Sequence, residues 1–547
     1  MTDALAPLKV PRYRALWVAS VFSNLGSFFQ TVSASWLMKE LTDSSATWIG
    51  LMLASNMLPL LFLALISGVV ADTFDRAKVM LASQIAMGTG AAAMAVLTAL
   101  GVITPGTLLS LGLLMGVGMA FNLPAWQSLV PELVPRGMLA SAVALNSAGF
   151  NVARAVGPAL GGLIVATAGP AVGFGVNAIS YLGVIVVAGV LAQRLASPER
   201  VQTSMTSAIS QSIRFARFTP AFRRLLLLVS LFALTSASVQ SVLPNRTTDL
   251  GGDERLYGVL LGAMGVGALV AAFIRRRVAD ELGARSVPAT ITLFGLAGMA
   301  VGIAPSWVVA VPAMVVSGAC WVLTLTTLNA SSQMMAPEWI RGRAMSLYTL
   351  AFSGVFPIGS IIAGGLADIT GAGPAMIALC AGTTALGILS PRFRLPALAE
   401  IRSPEFSETR SVSEHADTEG GPVMILNTWN VARSDLEDFL EVMNDIRLVR
   451  LRTGAYRWRL YRNADDPHRL SEMFLCASWE EHLAQHQRID DASAELIRRA
   501  RMFDRTGGPV SRHLVAIDVE HPEEWEPLIA AHEEFHASDG SIPLDRS

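Results

Sequence analysis

From Ala155 to Gln193 the chain carries not one charged residue. That run is about twice what one helix needs to cross a hydrocarbon core of roughly 30 Å, so it holds more than one crossing. Equivalent uncharged stretches extend from Val79 to Pro131 and from Ser286 to Pro337. Within a bilayer every backbone N–H and C=O must find its partner inside the protein, which leaves helices as the reading of such runs. With 52% hydrophobic and 15% charged residues, the chain is too apolar for a soluble protein of this length.

Uncharged runs of roughly 20 residues predict twelve spans, near 15–38, 47–70, 79–100, 106–128, 138–166, 171–193, 224–244, 256–274, 287–304, 306–330, 344–367 and 373–391. The loops between them alternate in charge. Lys9, Arg12, Arg14, Arg76, Lys78, Arg136, the Arg194 to Arg224 loop, Arg275 to Arg277, Arg285, Arg341, Arg343, Arg392 and Arg394 fall on one side, and Lys39, Arg246 and Arg255 on the other. The preference of Lys and Arg for the cytoplasm then places both termini there. Met1 to Arg14 lack the apolar core and cleavage site of a signal peptide, so the first span serves as its own insertion signal.

The net charge of −2 conceals a split. Residues 1–391 hold 22 Lys and Arg against 14 Asp and Glu, and residues 392–547 hold 19 against 29. All eight histidines lie in the second part, so a proton relay in the first works without imidazole. Cys320, Cys380 and Cys476 stand apart, without metal-ligand spacing or a disulfide framework, and read as small apolar fillers.

The apolar part is a repeat. Pro11-x-Tyr13-Arg14-x-Leu16 recurs as Pro220-x-Phe222-Arg223-x-Leu225, Val70-Ala71-Asp72 as Val278-Ala279-Asp280, and Gln127-x-x-x-Pro131-Glu132 as Gln333-x-x-x-Pro337-Glu338, offset by 206 to 209 residues. Two parallel six-helix halves, 1–193 and 224–391 joined by the loop 194–223, follow from that register, with a binding site near the midplane between them.

One stretch, Gly149-Phe150-Asn151-Val152-Ala153-Arg154-Ala155-Val156-Gly157-Pro158-Ala159-Leu160-Gly161-Gly162, puts a charge, a proline and small residues into one apolar segment. Its glycines let a neighbouring helix approach at backbone distance, and Pro158 removes one intrahelical hydrogen bond. Arg154 is an intramembrane charge and a functional candidate by default; unpaired, it costs at least roughly 2.5 kcal/mol. It either neutralises an anionic group on a substrate or joins a polar cluster with Asn122, Asn146, Asn151 or Asn177. Asn24, Gln30, Asn56, Gln240 and Asn329 either line a central cavity or hydrogen-bond between helices. No Asp or Glu lies clearly inside a span, which leaves Glu40, Asp72, Glu132 and Asp368 as groups for protonation.

Gly157-Pro158-x-x-Gly161-Gly162, with Gly149 eight residues earlier, resembles the fifth-helix antiporter motif of the major facilitator superfamily, in the bacterial branch of enterobactin exporters and transmembrane secretion effectors. Gly68-Val69-Val70-Ala71-Asp72-Thr73-Phe74-Asp75-Arg76-Ala77-Lys78 resembles that superfamily's cytoplasmic gating motif at Gly68, Asp72, Arg76 and Lys78, with Thr73 and Asp75 replacing the usual Arg and Gly. There Asp72 faces the N-terminus of the eleventh helix and Arg76 reaches Glu132, both contacts holding the outward-facing state. Asp280 marks the second-half counterpart. Gly112-x-x-Met115-Gly116 departs from the Arg-x-x-Gln-Gly expected in span four, so proton antiport is implied by the resemblance alone.

Beyond a Ser-, Glu- and Pro-rich linker at 392–421, residues 422–520 read β-α-β-β-α-β, the order of a small α+β ferredoxin-like domain, before an acidic tail at 521–547. Ser478-Trp479-Glu480-Glu481-His482-x-x-x-His486 resembles the dimeric α/β-barrel domains related to antibiotic-biosynthesis monooxygenases. His482 and His486 share a helix face and are expected in surface or dimer contacts rather than on a metal.

These readings define an all-α membrane protein with a soluble appendage. The resemblance implies a bacterial inner-membrane exporter of amphipathic, drug-like or siderophore-like solutes. Its expected partners are the bilayer, a small-molecule substrate, protons, and a second copy through the soluble domain, with no nucleic acid, cofactor or metal. Nutrient uptake and a membrane-tethered monooxygenase are the competing functions.

Overall fold

A computed structural model describes residues 5–194, 205–337, 339–393 and 422–516. Two compact units are present: Met1–Met205 with Arg224–Gln333 and Met345–Ile401, and Thr206–Arg223 with Met334–Ala344 and Arg402–Ser547. The expected acidic tail, and the expected linker beyond Phe393, lie outside the described residues.

The first unit is helical. Its elements are α1 (Pro11–Leu41), α2 (Ala46–Thr73), α3 (Arg76–Ala99), α4 (Pro105–Leu133) and α5 (Leu139–Arg194). After α6 (Met205–Phe218) the chain continues through α7 (Pro220–Ser236), the short α8 (Ser238–Ser241) and α9 (Leu243–Asp249), then α10 (Glu254–Leu282), α11 (Ser286–Ile303), α12 (Trp307–Met335), α13 (Arg341–Ser353), α14 (Phe356–Thr370) and α15 (Ala372–Leu389). α5 is two helices run together at Gly169, whose φ of 81° suits glycine, followed by Pro170. That break falls between the spans expected at 138–166 and 171–193.

Among the described residues nine segments are long and apolar enough to cross a membrane, including Leu160–Gln193, Glu254–Ile303 and Trp307–Met335. The expected first span is not among them. α1 is long enough at 31 residues, yet it spends its interior on Ser23, Asn24, Ser27, Gln30, Ser33 and Ser35, most of them buried. Gln30 shows why such a helix is still lodged in the bundle. Its amide accepts a short hydrogen bond from Asn177 on α5 and donates to Met115 Sδ on α4 at 2.6 Å.

The repeat seen in the sequence reappears as equivalent placement. Pro11 and Pro220 each open a helix, a position where the missing N–H costs nothing. Tyr13 and Phe222 are buried, as are Leu16 and Leu225. Helix crossings rely on glycine. A Cβ on Gly267 of α10 would strike the Val315 carbonyl of α12, and one on Gly318 of α12 the Met264 carbonyl of α10.

In the second unit α6 accompanies a four-stranded antiparallel sheet of order β2-β3-β1-β4. Its elements are β1 (Val423–Asn430), α16 (Leu436–Thr453), β2 (Arg457–Arg462), β3 (Arg469–Cys476), α17 (Trp479–Gln487), α18 (Asp491–Met502) and β4 (Val510–Val515). Strict alternation along β1 sends Val423, Ile425 and Trp429 into a core with Phe439, Val442, Met443, Ile446 and Phe474. Buried Glu472 accepts hydrogen bonds from Arg450 Nε (3.2 Å), Trp458 Nε1 (3.0 Å) and Asn427 Nδ2 (2.7 Å), which satisfies a carboxylate inside an apolar core.

Since Gly267 and Gly318 each meet a carbonyl of the facing helix, Gly267→Val or Gly318→Val forces α10 and α12 apart at a cost of about 1–3 kcal/mol. Thermal unfolding of the detergent-solubilised chain should show a lower Tm for both, and a Tm equal to the unmodified chain's would mean that the crossing is looser than described.

Candidate functional site

The glycine stripe of α5 is a seam. A Cβ on Gly149 would lie 2.8 Å from Val21 Cγ2, one on Gly157 2.7 Å from Phe28 Cβ, and one on Gly161 3.1 Å from Phe29 Cα, so these three face α1. Gly162 turns to the other half of the bundle and meets Gly258 of α10, backbone on backbone. Pro158 lies inside the helix between them. Gly258 is absent from the candidates drawn from sequence; its only signal there is the small-residue spacing Gly258-x-x-x-Gly262.

Near this seam the two halves close at the end opposite the arginine-rich loops. The first N–H groups of α2 have no partner within their own helix, and Ser45 makes no side-chain cap. Asp368 of α14 supplies it from the other half: its carboxylate accepts from Ala46 N (2.6 Å), Thr47 N (3.1 Å) and Ser45 Oγ (2.9 Å). A carboxylate on the positive end of a helix is favourable on charge as well as hydrogen bonding. Asn245 Nδ2 donates to the Ser44 carbonyl, and Trp36 of α1 stacks on Tyr257 of α10 at 5.6 Å between ring centroids.

Arg154 lies half-buried on α5 with its guanidinium 4.8 Å from the centre of the Phe150 ring and within electrostatic reach of Tyr348 on α13. Among the described residues no carboxylate forms an ion pair with it. The asparagines named as partners are occupied elsewhere: Asn122 accepts from Gln84 Nε2 (3.0 Å), Asn146 from the Tyr13 hydroxyl (3.0 Å), and Asn177 donates to Gln30. The Asn151 side chain lies outside the described residues. Asn24 is half-buried and Asn329 accepts from Gln333 Nε2 of its own helix at 2.7 Å.

In the gating motif Arg76 pairs with Glu132, joining the start of α3 to the end of α4 within one half. Asp75, where the superfamily pattern has Gly, caps α3 by accepting from the Lys78 N–H at 3.0 Å. Lys78 is exposed. The side chains of Gly68 and Asp72 lie outside the described residues. Asp280 faces Arg276 of its own exposed helix end at 3.8 Å. Where span four departs from the pattern, Gly116 packs on α2: a Cβ there would come 2.7 Å from the Asn56 carbonyl oxygen.

Of the two histidines on α17, His486 is exposed, as expected, and His482 is interior. His482 is 1% exposed, and its Nε2 lies 3.4 Å from that of His486. The ring of His513 on β4 lies 4.9 Å from that of His482 and 5.4 Å from Trp479. The expectation fails for His482 alone because β4 folds back over α17, a pairing no local pattern announces. Burial, reinforced by His486, His513 and Arg450, pushes His482 down to about 3. Burial together with Arg450 and His513 pushes His486 down to about 4. Both are neutral at pH 7. Among the described residues no group of three or more His, Cys, Asp or Glu has an arrangement able to hold a metal ion.

Long apolar helices meeting along glycine seams define a polytopic membrane protein, and the family it matches is one of major facilitator transporters. Residues 2–521 match the model of the family described as transmembrane secretion effector, and the chain belongs to that family. It is 27% identical over 400 residues to the multidrug efflux pump Tap of Mycolicibacterium fortuitum, covering 70% of this chain and 95% of that one. It is 26% identical to the enterobactin exporter of Salmonella typhi, covering 65% and 86%. The fold is similar to a bacterial homologue of the human lysosomal transporter Spinster in an inward-facing conformation, with a TM-score of 0.56 at 15% identity, covering 74% and 100%.

Buried His482 makes the second unit acid-sensitive. An unfolded histidine titrates near about 6.5, so below that pH the unfolded domain binds protons that the folded one refuses. Stability is therefore full above about pH 6.5 and falls as pH drops toward about 3. Urea unfolding of the full chain, followed by tryptophan fluorescence, should show this unit's midpoint falling between pH 7.5 and pH 5, with a shallower fall in His482→Gln. Equal midpoints at the two pH values would contradict it.

Proposed function

We propose that this chain exports an amphipathic organic solute, drug-like or siderophore-like, across the bacterial inner membrane by proton-coupled alternating access. The observation that carries the reading is the α5 seam: its antiporter-motif glycines pack α1 within one half and, at Gly162, reach the backbone of the other. Relatives named as a multidrug efflux pump, an enterobactin exporter and a staphyloferrin A transporter support the direction of transport and the breadth of solute. Twelve spans with both termini in the cytoplasm complete the proposal. α1 and the portion of α5 before Leu160 are the expected crossings whose polar interiors keep them below a simple apolar threshold.

Asp368 and its contacts with Ser45, Ala46 and Thr47 then form the outer gate. Arg76 and Glu132, with Gly68, Asp72, Lys78 and Asp280, belong to the inner gate, where the Arg76–Glu132 pair makes α3 and α4 move as one body. Arg154 is the substrate contact. Its neighbours are an aromatic ring and a tyrosine rather than a carboxylate, so it offers a buried positive charge to an anionic or phenolic group on the solute. Gln30 and Asn122 sit in hydrogen bonds inside the first half and act as bundle contacts. Asn24, Asn151 and Asn329 remain cavity candidates.

For the appendage we propose a ferredoxin-like domain at 422–520 that pairs with a second copy. Support comes from the strand order β2-β3-β1-β4 and from a sheet face bearing Met424, Leu426, Met473 and Leu475, with Leu514 45% exposed.

The test is efflux from cells stripped of their own exporters, using anionic siderophores and the cationic dye ethidium, with and without a collapsed proton gradient. Arg154→Ala should slow export of the anionic solutes at least about tenfold, the loss of one charge-assisted contact, while sparing ethidium. Asp368→Ala removes the helix cap and should slow export of both. Equal export by Arg154→Ala and the unmodified chain, at equal expression, would remove the substrate role, and accumulation instead of efflux would overturn export itself.

A further inference from the structure

Four helices of the first unit leave a groove of about 570 Å³ at the end that carries the arginine-rich loops. It is lined by Leu228 of α7, the turn and first turns of α11 from 283 to 296, Thr327 and Ser331 of α12, and the end of α15 as far as Pro391. All of these belong to that one unit. A Cβ on Gly387 would strike Thr292, so within the lining α11 and α15 form a closed seam. The groove opens on the outside of the helices, since Leu293, Leu296 and Ile388 of its lining are 48, 46 and 62% exposed. α11 and α15 belong to segments long and apolar enough to cross a membrane, so an outward groove between them is filled by lipid rather than water.

The lining holds one charged residue, Arg285, and no acid. The acids closest to it in sequence are engaged: Asp280 faces Arg276 at 3.8 Å and Glu281 faces Arg277 at 2.7 Å. Among the described residues Arg285 has no ion pair, and Arg392, next to Pro391 of the lining, is a second exposed cation. The hydroxyls of Thr292 and Ser390 donate to the Pro288 and Gly387 carbonyls, at 2.8 and 2.7 Å. The polar demand of the groove is therefore concentrated in the guanidinium, whose planar fork of donors matches a phosphate. From Arg285 to Leu296 the helix rises about 16 Å, close to one leaflet's share of a hydrocarbon core roughly 30 Å thick.

We propose that this groove is a binding site for one anionic phospholipid, with the phosphate on Arg285 and an acyl chain along Leu293, Leu296 and Ile388. The proposal rests on the chain's place in a bilayer and not on the direction of transport or the solute. A positive rim beside an apolar slot favours an anionic headgroup. A zwitterionic one adds an ammonium where no acid is free to receive it, and a free phosphate leaves the apolar slot unfilled.

The experiment is native mass spectrometry of the full chain, delipidated in detergent and offered phosphatidylglycerol and phosphatidylcholine in equal amounts. One phosphatidylglycerol should remain on each chain in preference to phosphatidylcholine. Arg285→Ala should weaken that binding at least about tenfold, the scale of one charge-assisted contact. Ala289→Trp, at an exposed position of the lining, keeps the charge and fills the slot, and should weaken it as well. Arg275→Ala removes an exposed arginine outside the lining and should leave it unchanged. Equal binding by Arg285→Ala and the unmodified chain, equal loss in Arg275→Ala, or equal retention of the two lipids overturns the site. A rise in Tm with inorganic phosphate as large as that with phosphatidylglycerol overturns the lipid as its occupant.

Discussion

Two backbones touch at Gly162 and Gly258, and much of the first unit depends on contacts of that kind. In lipid there is no water to expel from between helices, so association rests on close packing and on hydrogen bonds. Glycine provides the packing. At the closed end the same device recurs between α2 and α14, where a Cβ on Gly50 would strike the Ser360 carbonyl and one on Gly364 the Ala46 carbonyl. A seam made of backbone has no interlocked side chains to release, so two halves joined this way can part without repacking either interior.

Such a seam is close but carries little specificity, and Asp368 supplies the missing register. Its three hydrogen bonds fall on the first turn of α2 and nowhere else along the helix, because only there are N–H groups free. The carboxylate thus converts a sliding surface into one with a defined end point. Trp36 on Tyr257 adds area at the same level, and Arg246, bonded to the Val301 and Ala304 carbonyls at 3.1 and 2.6 Å, ties α9 to the end of α11.

What was legible in the sequence followed from local pattern. Uncharged runs located the helices, the 206 to 209 residue repeat placed Pro11 and Pro220 at matching helix starts, and the pattern over 422–520 pointed to the small antiparallel sheet. The Arg76–Glu132 pair was read correctly because charge-sidedness puts both on one face of the membrane. Polar residues were harder, since Gln30 and Asn122 look alike in sequence whether they face a cavity or each other's helices. Only the bonds to Asn177 and Gln84 tell them apart. Buried His482 was misjudged for the same reason: its exposure is decided by β4, some thirty residues on, and not by its helix.

Arg154 is where these constraints converge. A guanidinium between membrane halves needs compensation, and evolution has the simple option of a nearby carboxylate, as Glu472 answers Arg450 in the soluble domain at 3.2 Å. Here the neighbours among the described residues are Phe150 and Tyr348, which stabilise a cation weakly. A structural arginine would be expected to gather acceptors, as Arg246 does with two carbonyls. An arginine with these neighbours is the kind of group that the proposed contact with an anionic solute would use.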